Sequence, residues 1–168
     1  MSLSAELHLD IPISDLRHEA ILNVIHTANL IAAAGAVFFR RYDLTEAQFN
    51  ALFSLKHKNC ELTQSALSRR LVVTRASVTS VLDRLEEKGL VQRVVVPGNR
   101  RIYHLRLTPA GRALIDEMEP LYREHIYEAL DGLTEKDCKS MVRVLERVRS
   151  NTAALREVMQ KAAKPVSG

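Results

Sequence analysis

Apolar residues recur along the chain at helical spacing, then briefly at strand spacing, then at helical spacing again. From Pro12 and Ser14 to about Phe39, the residues Ile21, Val24, Ala28, Ile31 and Phe38 keep to one side of a 3.6-residue repeat, and Ala32, Ala33, Ala34 and Ala36 favour helix intrinsically. At roughly 1.5 Å per residue this helix would be about 35–40 Å long. Thr45 opens a second helix, with Gln48 at the reciprocal capping position and Phe49, Leu52 and Phe53 as its apolar stripe, fading by about Lys58. A short extended piece, Cys60 to Leu62, leads to Thr63, which caps a short helix from Gln64 to Leu71. Val72 and Val73 form a turn. Thr74 caps a fourth helix that stops at Gly89, with Lys88 beside its negative end.

The period then changes. Leu90 to Val96 is a β-rich run, Pro97-Gly98-Asn99 is turn chemistry, and Ile102 to Leu107 is a second strand, so Arg100 and Arg101 stand at the tip of a hairpin. Thr108 followed by Pro109 is a helix start that reaches about Leu130. Asp131-Gly132 breaks that helix, and Thr134 caps a last one running to about Ala163, followed by a frayed tail. The pattern predicts a mainly α fold with a small antiparallel β-hairpin: a winged helix-turn-helix with long flanking helices. Residues 1–168 carry no repeat or linker and are expected to form a single domain.

Charge sharpens this picture. From Gln64 to Arg106 there are nine basic residues (Arg69, Arg70, Arg75, Arg84, Lys88, Arg93, Arg100, Arg101 and Arg106) against Asp83, Glu86 and Glu87. That segment carries +6 in a chain whose net charge is +4, which makes it a polyanion-binding face or a solvated basic surface. On the fourth helix Val78, Val81, Leu82 and Leu85 form one apolar stripe. Ala76, Ser80 and Asp83 face away from it, flanked by Ser77, Thr79 and Arg84. Small and hydroxylated side chains let a helix approach a major-groove floor. Asp83 and Glu87 would repel DNA, confining close contact to the first turns, and Arg100 and Arg101 could reach an adjacent minor groove.

Other chemistry is weakly represented. Cys60 and Cys138 lack metal-ligand spacing and are expected to be free thiols, packed or idle rather than redox sensors. Six histidines show no ligand pattern; His18 and His26 lie nearly on one face of the first helix and could line a cavity, though a structural or solvated role is expected. Tyr103 and His104 are expected to be packing and surface residues of the wing rather than base contacts. No nucleophile–base pair, phosphate loop or metal cluster stands out, so neither an enzyme nor a cofactor is expected. The N-terminus lacks signal-peptide character, and the longest continuous apolar stretch, Leu30 to Phe39, is short of a membrane span. A soluble, cytoplasmic protein without membrane partners is expected.

The runs Leu62-Thr63-Gln64-Ser65-Ala66-Leu67-Ser68-Arg69-Arg70-Leu71 and Val78-Thr79-Ser80-Val81-Leu82-Asp83-Arg84-Leu85-Glu86-Glu87-Lys88-Gly89-Leu90-Val91 resemble the MarR family of bacterial transcriptional regulators. So do Asn99-Arg100-Arg101, Leu107-Thr108-Pro109-Ala110-Gly111 and Leu44-Thr45-Glu46-Ala47-Gln48-Phe49; the resemblance covers about Leu44 to Leu133. It implies a homodimer with a DNA-binding lobe at residues 44–108 and dimerisation helices at 12–40 and 109–163. It also implies a repressor that holds a pseudo-palindromic operator on double-stranded DNA and releases it to a small-molecule effector. DNA contacts would fall on Thr74, Arg75, Ser77, Thr79, Ser80 and Arg84 of the recognition helix, and on Asn99, Arg100 and Arg101 of the wing. Arg101, separated from Pro109 by seven residues, takes the minor-groove position. Two residues depart from the family pattern: Asn99 replaces an acid that would brace the wing, and Val72 replaces a glycine in the inter-helix turn. Apart from the family, the apolar stripes of the outer helices exceed what one lobe covers, which also points to a second copy. A winged helix used only for protein docking is the rival; it would show no duplex preference.

Overall fold

A computed structural model describes residues 3–7, 13–58, 62–71, 75–96 and 99–162. The chain divides into two compact units, Met1–Tyr122 and Arg123–Gly168. In the first, a single turn of helix α1 (Leu3–Glu6) precedes the long helix α2 (Leu16–Arg40). The N-cap of α2 is Asp15, one residue after the expected start, and its carboxylate accepts from the Arg17 amide at 2.9 Å. Only Phe38 and Phe39 of α2 are buried, while Ile21, Ile25, Leu30, Ile31 and Val37 are exposed.

By length and composition alone, α2 is long and apolar enough to cross a membrane. This corrects the expectation that no stretch approaches a span. The difference lies in the small residues: Ala28, Ala32, Ala33, Ala34, Gly35 and Ala36 raise the hydropathy without the continuous bulky run that the eye looks for. Asn23, His26, Thr27 and Asn29 interrupt the same helix.

Helix α3 (Glu46–Lys56) starts with the capping box that its sequence predicts. The Gln48 amide donates to Thr45 Oγ1 at 3.2 Å and the Thr45 amide to Gln48 Oε1 at 2.8 Å. Its buried face builds the core of the unit: the Phe49 ring lies 5.0 Å from Phe39 and 4.7 Å from Tyr122, beside the buried Leu52, Leu55, Leu67, Leu82, Leu105 and Ile115. Burial, with the nearby charge of Glu46, pushes the Tyr122 hydroxyl above the usual tyrosine range.

The expected hairpin is present and gains a strand. β1 (Leu62–Thr63), β2 (Val91–Val96) and β3 (Asn99–Leu107) form an antiparallel sheet in the order β1-β3-β2. β1 pairs Leu62 with Leu105 and Thr63 with His104. β3 begins at Asn99 rather than at Ile102. Between β2 and β3 the register slips after Val95↔Tyr103, because the next pair is Val96↔Asn99. Arg100, Arg101 and Ile102 therefore have no opposing residue on β2, a bulge of the kind that bends a strand and re-aims its side chains. Helix α4 (Gln64–Arg70) follows β1 directly, capped by Thr63 as expected. Cys60 and the turn residues Val72 and Val73 lie outside the described residues.

Helix α5 (Arg75–Glu87) ends in a double-bonded turn. Gly89 adopts φ 66°, its amide donates to the Glu86 carbonyl, and the Leu90 amide donates to the Leu85 carbonyl, both at 2.9 Å. Helix α6 (Pro109–Ala129) is joined to this turn at its own first residues. Thr108 Oγ1 donates to the Gly89 carbonyl at 2.6 Å, and the Thr108 amide donates to the Leu90 carbonyl at 3.1 Å. A Cβ on Gly111 would lie 2.0 Å from the Leu90 carbonyl oxygen, so only glycine allows this approach.

A second tie joins α3 to α6. Lys56 Nζ lies 2.7 Å from Glu119 and 2.5 Å from Asp116, and His57 Nε2 lies 3.0 Å from the same Glu119 carboxylate. The hydrogen bond from Lys56, aided by His57 and opposed by burial, lowers the Glu119 carboxyl from 4.5 to about 2.

In the second unit, Gly132 (φ 77°) ends α6 and Thr134 caps α7 (Glu135–Ala162), as the sequence suggests. The Asp137 amide donates to Thr134 Oγ1 at 3.2 Å and the Thr134 amide to the Asp137 carboxylate at 3.0 Å. No residue of α7 is buried, and Val142, Val144, Leu155, Val158 and Met159 are exposed.

Two substitutions test these joints. Gly111→Ala should cost about 2–3 kcal/mol, because the clash is with backbone that cannot rotate away, and should lower the thermal midpoint by roughly 5–10 °C. Glu119→Gln should cost about 2 kcal/mol near pH 6. Since folding depresses the Glu119 pKa, that stability is present above about pH 4.5 and is lost as pH falls toward 2. Denaturant titrations should therefore show the gap between wild type and variant closing across this window.

Candidate nucleic-acid interface

The apolar stripe predicted for α5 is its inward face: Val78, Leu82 and Leu85 are buried and Val81 is half-buried. Burying this stripe turns Thr79, Ser80, Asp83 and Arg84 outward, and Thr79, Ser80, Asp83 and Arg84 lie on the solvent side of the helix. Arg75 and Ser77 belong to the first turn of α5 by backbone, but their side chains lie outside the described residues, as does Thr74 altogether. Asn99, Arg100 and Arg101 open β3 at the bulge, and their side chains likewise lie outside the described residues. Of the nine expected contact residues, the structure thus brings Thr79, Ser80 and Arg84 onto one outward helix face. It sets the backbone of the wing three at the break in the strand ladder.

The charges are arranged differently from the simple count. Arg93, on β2, reaches Asp83 at 2.6 Å and also pairs with Glu86, whose carboxylate accepts from the Arg93 amide at 3.2 Å. Burial disfavours the Arg93 charge, yet the hydrogen bonds to Asp83 and Glu86 outweigh it and raise the guanidinium pKa. Arg84 pairs with Glu87 at 2.8 Å one turn along the helix, and Lys88 reaches Asp43 at 2.5 Å. All three acids of the basic segment are thus engaged by cations. Asp83 and Glu87 present less repulsion than their bare charges suggest, and Arg93 is committed to holding the sheet against α5. The Arg84–Glu87 pair is exposed on both sides, so it costs little to open and leaves Arg84 available to another anion.

Two residues of this region escape a pattern-based reading. Arg93 counts in the sequence as one more surface cation; only the i,i+3 spacing of Asp83 and Glu86 hints at a shared partner. Gln64, the first residue of α4, donates through Nε2 to Thr79 Oγ1 at 2.7 Å, and no periodicity connects the two. Neither histidine of α2 forms a shared site: His26 lies 3.4 Å from Glu6, and His18 is exposed. Cys138 is a free, partly buried thiol.

A three-stranded sheet, the two consecutive helices α4 and α5 and a bulged two-strand projection define a winged helix-turn-helix protein. Residues 44–103 match the family model described as the MarR family. A probable transcriptional regulator from Pseudomonas aeruginosa is 30% identical, with 76% of this chain and 96% of that chain covered and a TM-score of 0.65. A mutant MarR from E. coli, solved in complex with operator DNA, is 29% identical over 80% of this chain and 99% of that one, with a TM-score of 0.68. BpsR of Bordetella bronchiseptica, whose DNA binding is regulated by 6-hydroxynicotinic acid, is 25% identical over 76% and 98%, with a TM-score of 0.63. The chain belongs to the MarR family of transcriptional regulators.

Proposed function

We propose that this protein is a homodimeric, sequence-specific regulator, acting in the cytoplasm as a repressor on a pseudo-palindromic operator and released from it by a small-molecule effector. The observation that carries this is the outward Thr79–Ser80–Arg84 face of α5, with the bulge on β3 that bears Arg100 and Arg101. In this proposal the first turns of α5, with Thr74, Arg75, Ser77, Thr79, Ser80 and Arg84, enter the major groove. Hydroxyls and the helix start bind phosphates and base edges there. Asn99, Arg100 and Arg101 follow the adjacent minor groove, with Arg101 inserted. The complex of the E. coli relative with operator DNA supports DNA binding as such.

The dimer is supported by surface that one copy leaves uncovered. Ile25, Leu30, Ile31 and Val37 on α2, and Val142, Val144, Leu155 and Val158 on α7, are exposed although apolar. In this proposal residues 12–40 and 109–163 pack against their symmetry mates, so the apolar length of α2 serves a protein interface and not a bilayer. The two lobes, residues 44–108 of each copy, then present their recognition helices about 34–36 Å apart, one turn of the duplex. An effector that favours another lobe spacing shifts the population away from the bound state. Small aromatic acids are the class proposed, by analogy with the regulator of B. bronchiseptica.

Arg101→Ala should weaken operator binding about tenfold in a fluorescence-anisotropy titration and leave the circular dichroism spectrum unchanged. Wild-type affinity should fall steeply with salt. Unchanged affinity in the variant would remove the minor-groove role. Salt-insensitive binding without duplex preference would favour a protein-docking module.

A further inference from the structure

Gln64 and Thr79 come from different helices of the lobe and meet at its surface. Gln64 is half-buried, Thr79 is exposed, and Gln64 Nε2 donates to Thr79 Oγ1 at 2.7 Å. A threonine hydroxyl has one proton to give and two lone pairs to receive. Once a lone pair is filled by the Gln64 amide, the hydroxyl rotor is no longer free. Its proton is excluded from the Gln64 direction and is left for the backbone carbonyl one turn back or for an acceptor beyond the helix surface.

The position of Gln64 is itself tightly set. Thr63 before it accepts from the Ala66 amide at 3.2 Å and pairs with His104 in the sheet, so the start of α4 is fixed to β3. The strand that carries the wing therefore also places the residue that orients a hydroxyl on α5. On the same face Ser80 and Arg84 turn outward, so Thr79 sits among groups suited to a polyanion.

We propose that Gln64 is a positioning residue for DNA recognition. It holds Thr79 Oγ1 as an acceptor, so that the hydroxyl proton is offered to a hydrogen-bond acceptor of the duplex, either a phosphate oxygen or a base-edge N7, O6 or O4. This rests on the DNA binding proposed above. It goes beyond that proposal by giving a residue outside the recognition helix control over the donor polarity of one inside it.

The test is a double-mutant cycle on a 30-base-pair duplex selected from a random pool by the wild-type protein, with affinities measured by anisotropy at fixed salt. Gln64→Ala should weaken binding about fivefold in the wild type and about equally in a Thr79→Ser background, which keeps the hydroxyl. In a Thr79→Val background, where there is no hydroxyl to orient, Gln64→Ala should change affinity less than twofold. A merely structural glutamine would not follow this pattern, because its loss would register in every background. The same Gln64→Ala penalty with and without the Thr79 hydroxyl would overturn the inference, as would no loss at all. Recovery of no duplex by the wild type would overturn the DNA-binding proposal and this inference with it, a result distinct from the others. Where the coupling is found, substituting single base pairs assigns the acceptor. A Thr79→Val loss confined to one base pair marks a base edge, and a loss uniform across sequences marks a phosphate.

Discussion

At the first turn of α6 the backbone of Gly111 lies against the carbonyl of Leu90, closer than any side chain would allow. Thr108 closes the same joint from the other side, donating to Gly89 and Leu90. Three elements meet there: the end of α5, the start of β2 and the start of α6. The orientation of α5 relative to the sheet follows from this contact and from Arg93, which ties Asp83 and Glu86 to β2. α5, the sheet and the start of α6 are thus tied to one another at neighbouring points. The residues proposed to contact DNA lie on elements held by this joint, as engagement of neighbouring grooves would require.

The same joint explains how charge is used. A basic segment could serve as a diffuse attractive surface, but here its cations divide into two groups. Arg93 and Lys88 hold structure together by pairing with acids from α5 and from the α2–α3 corner. Arg84 sits in an exposed pair that opens at little cost. Net charge describes the steering of DNA toward the lobe, whereas contact depends on which cations remain available once the fold has taken its share.

Local chemistry makes much of this legible in advance. Thr45 with Gln48, Gly89, Thr108 with Pro109, and Gly132 with Thr134 are short-range signals, and each marks an element end in the structure as the sequence suggests. The stripe of Val78, Val81, Leu82 and Leu85 correctly orients α5. The rest depends on partners distant in sequence. β1 is two residues long and exists only because β3 pairs with it some forty residues later. The early start of β3 at Asn99 and the bulge after it follow from ladder register, not from composition. Asp83 reads as a repulsive charge until Arg93 is placed beside it, and the Gln64–Thr79 bond joins two helices whose periodicities are independent. The apolar length of α2 is easily underestimated because alanine contributes hydropathy without bulk.

In the proposed complex two such lobes read one duplex through α5 and the wing. Hydroxyl-radical footprinting on a duplex selected from a random pool tests it most directly. Two protected clusters with centres about 10–10.5 base pairs apart, each flanked by minor-groove protection and each weakening as salt rises, are the predicted result. A single protected cluster without a symmetric partner, or no protection on any selected duplex, would contradict it.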